Sequence, residues 1–238
     1  MQQLLIITPV KDSIDHTVRT MEAVVQSELN VPHRYVVFND NSTPENTARL
    51  HTEAARLGVE VVDLATLTDH PSPNYLFVLR RCRKEALADD AGLLIVESDV
   101  TVQRDTLQKL FDGATARPNC GIAAAVTVDE EGKINYPYLY ARGKEGQDYD
   151  CKKHCSFCCS LLTPALLKAC DFDRLDDSKN WFDVTISHDS LAAGLHNNLF
   201  CSLPVVHRPH GSRPWKQLKY TNPIKYYWTK WTKGFDKI

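Results

Sequence analysis

This chain has no apolar run long enough to cross a membrane. Its apolar runs, residues 91–96 among them, fall far short of the ~20 residues a spanning helix needs. The opening residues Met1-Gln2-Gln3-Leu4-Leu5-Ile6-Ile7 lack the basic stretch of a signal peptide and read as a first strand, so a cytoplasmic protein is expected. No internal repeat or low-complexity linker divides the 238 residues, and 43% hydrophobic with 24% charged residues excludes bulk disorder. One large α/β domain is the expectation. The body also lacks a basic face. From Arg213 onward seven Lys/Arg stand against one acid, which leaves the tail at +6 and the rest at −8 and argues against nucleic acid as a partner.

The stretch Leu93-Leu94-Ile95-Val96-Glu97-Ser98-Asp99-Val100 organises what is present. Four large apolar residues in succession predict a strand buried on both faces. The acids that follow arrive where open α/β sheets bind ligands, at the carboxyl edge. Glu97 and Asp99 point to the same side if the chain stays extended, so both can approach one hard cation.

Around that strand the pattern alternates. Residues 3–8 read as a strand whose ladder Pro9 ends, followed by a helix with Ile14, Val18, Met21 and Val25 on one face. Residues 34–38 are a second strand. Thr43, Pro44 and Glu45 then open a helix that Gly58 stops. Residues 59–64 make a third strand, and 75–88 have helical composition and carry Arg80, Arg81, Arg83 and Lys84. Strand then helix, three times over, predicts a parallel sheet. A helix capped by Asp105 and a strand over 120–128 complete this half. Residues 129–150 lose periodicity, 156–162 resume as strand, 164–170 and 181–195 as helix, and 200–206 as a last strand.

Asp40 closes the second strand as Asp99 closes the fourth, so the two should face a common crevice. A divalent cation on Asp99, with Arg80 or Arg81 nearby, would suit a diphosphate.

The order of these pieces resembles the family-2 glycosyltransferases of GT-A fold. The residues that carry the resemblance begin with Ile7-Thr8-Pro9-Val10 and continue with Val36-Val37-Phe38-Asn39-Asp40-Asn41-Ser42-Thr43, set against that family's VVVDDGST segment. Leu94-Ile95-Val96-Glu97-Ser98-Asp99 stands against its metal-binding DxD segment. Ser156-Phe157-Cys158-Cys159-Ser160-Leu161-Leu162, with Cys170-Asp171-Phe172-Asp173, looks like its acceptor strand and trailing GxFD. Trp181-Phe182-Asp183 through Gly194-Leu195, then Pro204-Val205-Val206-His207-Arg208, looks like its base-bearing helix and the histidine beyond. The likeness covers residues 3–210.

It implies a single GT-A domain over residues 1–212, a Rossmann-like, mostly parallel central sheet flanked by helices. Residues 1–128 would form the nucleotide-sugar half and 129–212 the acceptor and catalytic half, with 213–238 a basic aromatic tail. Thr8, Pro9 and Asp40 would line the nucleoside site, Arg80 or Arg81 would take the diphosphate, and Glu97 and Ser98 would border the donor. Asp99 would hold Mn²⁺ or Mg²⁺, whose Lewis acidity assists the departing nucleoside diphosphate. The family further implies inversion at the anomeric carbon, with a carboxylate as base toward an acceptor hydroxyl of a glycan or lipid-linked saccharide.

Departures from the family pattern matter. Glu97 replaces the first Asp of DxD, and Asn39 the first Asp of the DD pair, so Asp99 needs a further ligand, for which His207 or His210 would serve. For the base, Asp183 is the first choice, from its spacing to Gly194 and His207, and Asp189 the second. On one helix they lie about 240° apart, so only one can face the cleft. Phe182 stands where the family has the acid before the base.

Eight cysteines without a secretion signal read as reduced, mostly buried thiols. Cys151-x3-Cys155-x2-Cys158 has radical-SAM iron–sulfur spacing and, with His154, a zinc alternative. Only 80 residues follow Cys158, too few for the rest of such a barrel. The tail interleaves lysine with Trp215, Tyr220, Tyr226, Tyr227, Trp228 and Trp231. That composition suits either the inner face of an anionic membrane, where a lipid-linked acceptor would be presented, or packing back on the domain.

Two alternatives remain. A nucleotidyltransferase would show a glycine-rich loop after strand one, and Thr8-Pro9-Val10-Lys11-Asp12-Ser13 has no glycine. A non-catalytic Cys/His module would bind iron or zinc stoichiometrically. Donor sugar, nucleotide base and oligomeric state are open at this point.

Overall fold

The structure, a computed structural model, describes residues 1–178, 181–209, 218 and 222–232. The chain opens with strand–helix units: β1 (Leu4–Val10) and α1 (Ile14–Val25), β2 (His33–Asn39) and α2 (Pro44–Leu57), β3 (Glu60–Asp63) and α3 (Tyr75–Ala88). They lead into β4 (Gly92–Val96). β5 (Val100–Thr101), α4 (Thr106–Ala116), β6 (Cys120–Val128), β7 (Tyr149–Asp150) and β8 (Cys159–Leu162) follow. Next come α5 (Pro164–Ala169), α6 (Phe182–Ala192), β9 (His196–His207) and α7 (Pro223–Thr232).

The strands form one nine-stranded sheet in the order β3-β2-β1-β4-β8-β6-β9-β5, with β7 paired to β9. β3, β2, β1 and β4 are parallel, as the alternation of strand and helix predicts. In the other half β8 runs antiparallel to both β4 and β6, while β6 and β9 are parallel. The chain is thus a mixed α/β domain with a central sheet flanked by helices.

Strand parity explains why β4 is apolar throughout. Leu93 and Ile95 join a core with Leu5, Ile7, Leu79 and Leu162, on the α3 and α5 side. Leu94 and Val96 enter a second core with Leu4, Ile6, Leu107 and Leu110, on the α4 side. All four are 0% exposed, and full burial of each stabilises the fold by roughly 1.5–3 kcal/mol. Neither face has room for a polar residue, so the first polar side chains appear only where the strand leaves the sheet.

Several expected boundaries shift, for identifiable reasons. Pro9 does not end β1: it pairs with Phe38, and the strand runs on to Val10. On its other side β1 pairs with β4 only as far as Ile7, so a residue without an N–H is tolerated there. In α1 the buried face is Ile14, Thr17, Thr20, Met21 and Val24, whereas Val25 is exposed. The threonines can go inward because their hydroxyls donate to Ser13 O and Val100 O, both at 2.8 Å. α2 begins and ends as read, with the Thr43 hydroxyl accepting from the Asn46 N–H and Gly58 in the left-handed region at φ 69°. β9 starts four residues earlier than the apolar pattern suggests, at His196.

Candidate active site

The candidate site lies where β4 ends, and a turn builds it. Val100 N–H donates to Glu97 O at 3.1 Å, so the chain does not stay extended through Glu97-Ser98-Asp99 as the i, i+2 spacing assumes. The turn sends the chain into β5, whose Val100 pairs with His207, the last residue of β9. That pairing brings His207 Nε2 to 3.4 Å from an Asp99 carboxylate oxygen, with both side chains less than 10% exposed. From the other side β8 enters the same edge: Glu97 N–H donates to Cys158 O at 2.9 Å, and the Cys158 thiol points at Glu97 Oε2 at 3.2 Å.

His207 is held at both ends by residues 135 and 136. Its Nδ1 lies 2.8 Å from Tyr136 O, and its backbone carbonyl accepts from Asn135 Nδ2 at 2.9 Å. Because a carbonyl can only accept, Nδ1 carries a proton, and in the neutral ring Nε2 is the atom with a lone pair facing Asp99.

The electrostatics of this cluster are those of too many acids for one base. Burial, and after it the Asp99 charge, push the Glu97 carboxyl above its usual range, with a smaller push from Asp183. Burial by itself would lower His207, but Asp99, then Glu97 and the Tyr136 carbonyl, outweigh it and raise its pKa. The donor set fits a divalent cation: Asp99 supplies a hard oxygen, and His207 supplies a nitrogen oriented by a carbonyl in the manner of metal-bound histidines. Among the described residues, ligand atoms of Glu97, Cys158 and His207 also close to within 4.8 Å of one another.

The other candidate residues separate into those near this cluster and those away from it. Asp40 follows Asn39, which pairs opposite Val10, so it leaves the same edge of the sheet as Asp99 with one strand between them, about 10 Å in lateral spacing. Its carboxylate accepts from Ser72 Oγ, Asn74 N–H and Asn74 Nδ2 at 2.7–2.9 Å, tying the 70–74 loop to the end of β2. Thr8 is fully buried, with its hydroxyl 3.0 Å from that of Tyr35, and Ser98 is buried in the turn. Asp183, in the first turn of α6, adds to the charge felt at Glu97, Tyr75 and Tyr136. Asp189 is exposed further along the helix, and its charge is felt at Cys170.

Arg80 and Arg81, expected at the diphosphate, are both engaged by protein partners. Arg80 donates to the carbonyls of Phe172, Asp173 and Leu175 at 2.8–3.2 Å, closing the turn after α5. Arg81 pairs with Glu85, which also pairs with Arg34 near the amino end of β2, the opposite edge from Asp40. The intervals along α3 turn these side chains onto neighbouring elements. His210 lies outside the described residues, as do most of residues 213–238.

All eight cysteines are free and buried. Cys151, Cys155 and Cys158 do not converge on one ion: Cys151 sits 3.4 Å from the Tyr140 hydroxyl, whereas Cys158 faces Glu97. A hydrogen bond from Cys155 and one from Tyr140 hold the Cys151 thiol down at about 6 against the upward push of burial.

Comparison with solved structures places this architecture. The Pyrobaculum calidifontis mannosyltransferase PcManGT, solved with GDP-Man and Mn²⁺, superposes with TM-score 0.63 at 14% identity, over 95% of this chain and 63% of that one. Staphylococcus aureus TarS residues 1–349, solved with UDP-GlcNAc, gives TM-score 0.62 at 14% identity, over 87% of this chain and 59% of that one. The chain has a glycosyltransferase fold. A mycobacterial protein of unstated activity superposes with TM-score 0.59 at 16% identity, over 91% of this chain and 70% of that one. The chain spans about three fifths of the first two solved chains. No protein-family model and no curated protein matches it.

Four residues at the edge of this glycosyltransferase fold were not pointed to this cluster by the sequence. Asn135 and Tyr136 come from the aperiodic stretch, and nothing in their spacing points to His207. Cys158 was legible as part of a cysteine motif and of the acceptor-strand likeness, with no sign of Glu97 as its partner. Tyr75 opens α3, and its hydroxyl is buried with no hydrogen-bond partner among the described residues. Burial, then the charges of Glu97, Asp183 and Cys158, push that phenol well above its usual value.

Proposed function

We propose that this protein transfers a sugar, with inversion, from a nucleoside-diphosphate donor to a hydroxyl acceptor, using a divalent ion held by Asp99 and His207. The observation that carries the reading is the buried Asp99–His207 pair at the carboxyl edge of a glycosyltransferase fold, with Asp183 within electrostatic reach. Mn²⁺ or Mg²⁺ bound there would supply Lewis acidity toward the departing diphosphate.

The chain's own residues account for the rest. Asp40 anchors the 70–74 loop and so shapes the wall on which the nucleoside rests. Asp183 accepts the proton of the acceptor hydroxyl as that oxygen attacks the anomeric carbon. Asp99 and His207 are both buried, so a cation held between them would be little exposed to competing solvent. The donors in the two solved relatives, GDP-Man and UDP-GlcNAc, are the first to try.

Thermal denaturation with UDP-, GDP-, CMP- and dTDP-sugars, each with and without Mn²⁺, tests this. One nucleoside-diphosphate sugar should raise the transition temperature only in the presence of metal, and Asp99→Ala should abolish that rise. Stabilisation by none of them, or an equal response in Asp99→Ala, would remove the reading.

The acceptor is proposed to be lipid-linked and met at an anionic membrane surface. Ile224, Tyr227, Trp228 and Trp231 of α7 are 60–85% exposed. Their i, i+3, i+4, i+7 spacing puts them on one face, with Lys225 and Lys230 at its two flanks. No helix among the described residues is long and apolar enough to cross a membrane. An apolar aromatic stripe bordered by lysines, on a tail of charge +6, is the pattern of a helix lying in the plane of an interface.

A further inference from the structure

Cys158 is the member of the cluster that a hard cation does not need. An oxygen or a methyl group would fill its volume, yet a thiol stands 3.2 Å from the Glu97 carboxylate. That sulfur, a Glu97 oxygen and a His207 nitrogen lie within 4.8 Å of one another. In a tetrahedral site with bonds of about 2.0–2.3 Å the ligand atoms stand roughly 3.3–3.8 Å apart, so shifts of about 1 Å close these three around one ion. One sulfur, one nitrogen and one oxygen leave the fourth position open.

We propose that Cys158, Glu97 and His207 form a thiolate-bearing site for thiophilic cations of the Zn²⁺ class, competing with the harder ion on Asp99. The inference rests on the sugar-transfer reading only through the shared His207. Its Nδ1 is committed to Tyr136 O, so Nε2 alone is available, and one nitrogen cannot complete both sets. An ion on the Cys158 side therefore draws His207 away from Asp99. On binding, the Cys158 S–H proton leaves to solvent and the sulfur lone pair makes the new bond, with no change of oxidation state. Soft thiolate favours Zn²⁺, Co²⁺ and Cd²⁺, whereas carboxylate with imidazole suits Mn²⁺.

The test uses the full chain, reduced, with metals alone. Co²⁺ should give a sulfur-to-cobalt charge-transfer band in the near ultraviolet that Cys158→Ser and Cys158→Ala both lack and Cys201→Ser retains. In electron paramagnetic resonance, one equivalent of Cd²⁺ should release bound Mn²⁺ from the wild type. It should release less than about a tenth as much from Cys158→Ser, which has lost the soft ligand. Absence of the cobalt band in the wild type, its persistence in both Cys158 variants, or retention of Mn²⁺ under Cd²⁺ each overturns the proposal. If the band appears but no sugar nucleotide binds, the transfer reading falls and this site stands. If a sugar nucleotide binds with Mn²⁺ and no band appears, the reverse holds.

Discussion

His207 Nε2 lies 3.4 Å from an Asp99 carboxylate oxygen, and the contact exists because the two-residue strand β5 turns back from β4 to pair with the end of β9. Either side chain alone would be a polar residue at a strand end. Together, buried and with the imidazole fixed by Tyr136 O, they are the two atoms proposed to seat a cation.

Removing half of that seat should be read in metal affinity first. His207→Ala is expected to weaken Mn²⁺ binding at least as much as the loss of an outer-shell partner does, on the order of 10–100-fold. Calorimetric titration of Mn²⁺ into wild type and variant checks this. Unchanged affinity would show that Nε2 is not a ligand.

The assignment of the base separates cleanly in kinetics. Asp183→Asn should lower kcat by about 10²–10⁴-fold, the usual range for a lost general base, with donor affinity kept. Asp189→Asn, on the exposed side of α6, should leave both unchanged. Steady-state transfer assays with equilibrium donor binding decide it, and the opposite pattern would hand the role to Asp189.

Arg80→Ala should act on stability and not on the donor. The guanidinium donates to three carbonyls of residues 172–175, and leaving them unpaired costs about 1–3 kcal/mol. The midpoint of urea unfolding should fall with its slope unchanged, while the donor KM stays the same. A raised KM at unchanged stability would instead put Arg80 on the diphosphate.

For α7, Trp228→Glu with Trp231→Glu should abolish cosedimentation with anionic phospholipid vesicles, and zwitterionic vesicles should fail to bind even the wild type. Light scattering on the same samples reports the competing occupant. A dimer lost in the double variant would show that the stripe docks a second copy of the chain and no membrane.

The parallel half of the sheet was legible because its signals are local. Thr43-Pro44 and Gly58 delimit α2, and a run such as Leu93 to Val96 admits burial on both faces and little else. For the candidate site, acids at strand ends pointed to Asp40 and Asp99 and family resemblance to His207, and the structure brings Asp99 and His207 together. What a linear pattern does not carry is the direction of a helix side chain, and so the protein partners of Arg80 and Arg81 cannot be read from it. Nor does it carry pairing across the chain. Asn135 and Tyr136, in the loop after β6, reach the cluster through His207 at the end of β9, and Cys158, just before β8, reaches it through Glu97 at the end of β4; the aperiodic 129–150 stretch has no period by which to announce the first.

The reversed strand β8 has a consequence for how this molecule can change. Its neighbours β4 and β6 fix its register on both sides, so the chain between β6 and β8 can change in length and composition away from residues 135 and 136 without moving the Cys158–Glu97 junction. Asn135 and Tyr136, which hold His207, are the part of that stretch that has to stay. In one-way sheets every residue at that edge leaves a strand; here one arrives, and it arrives on a separate genetic leash.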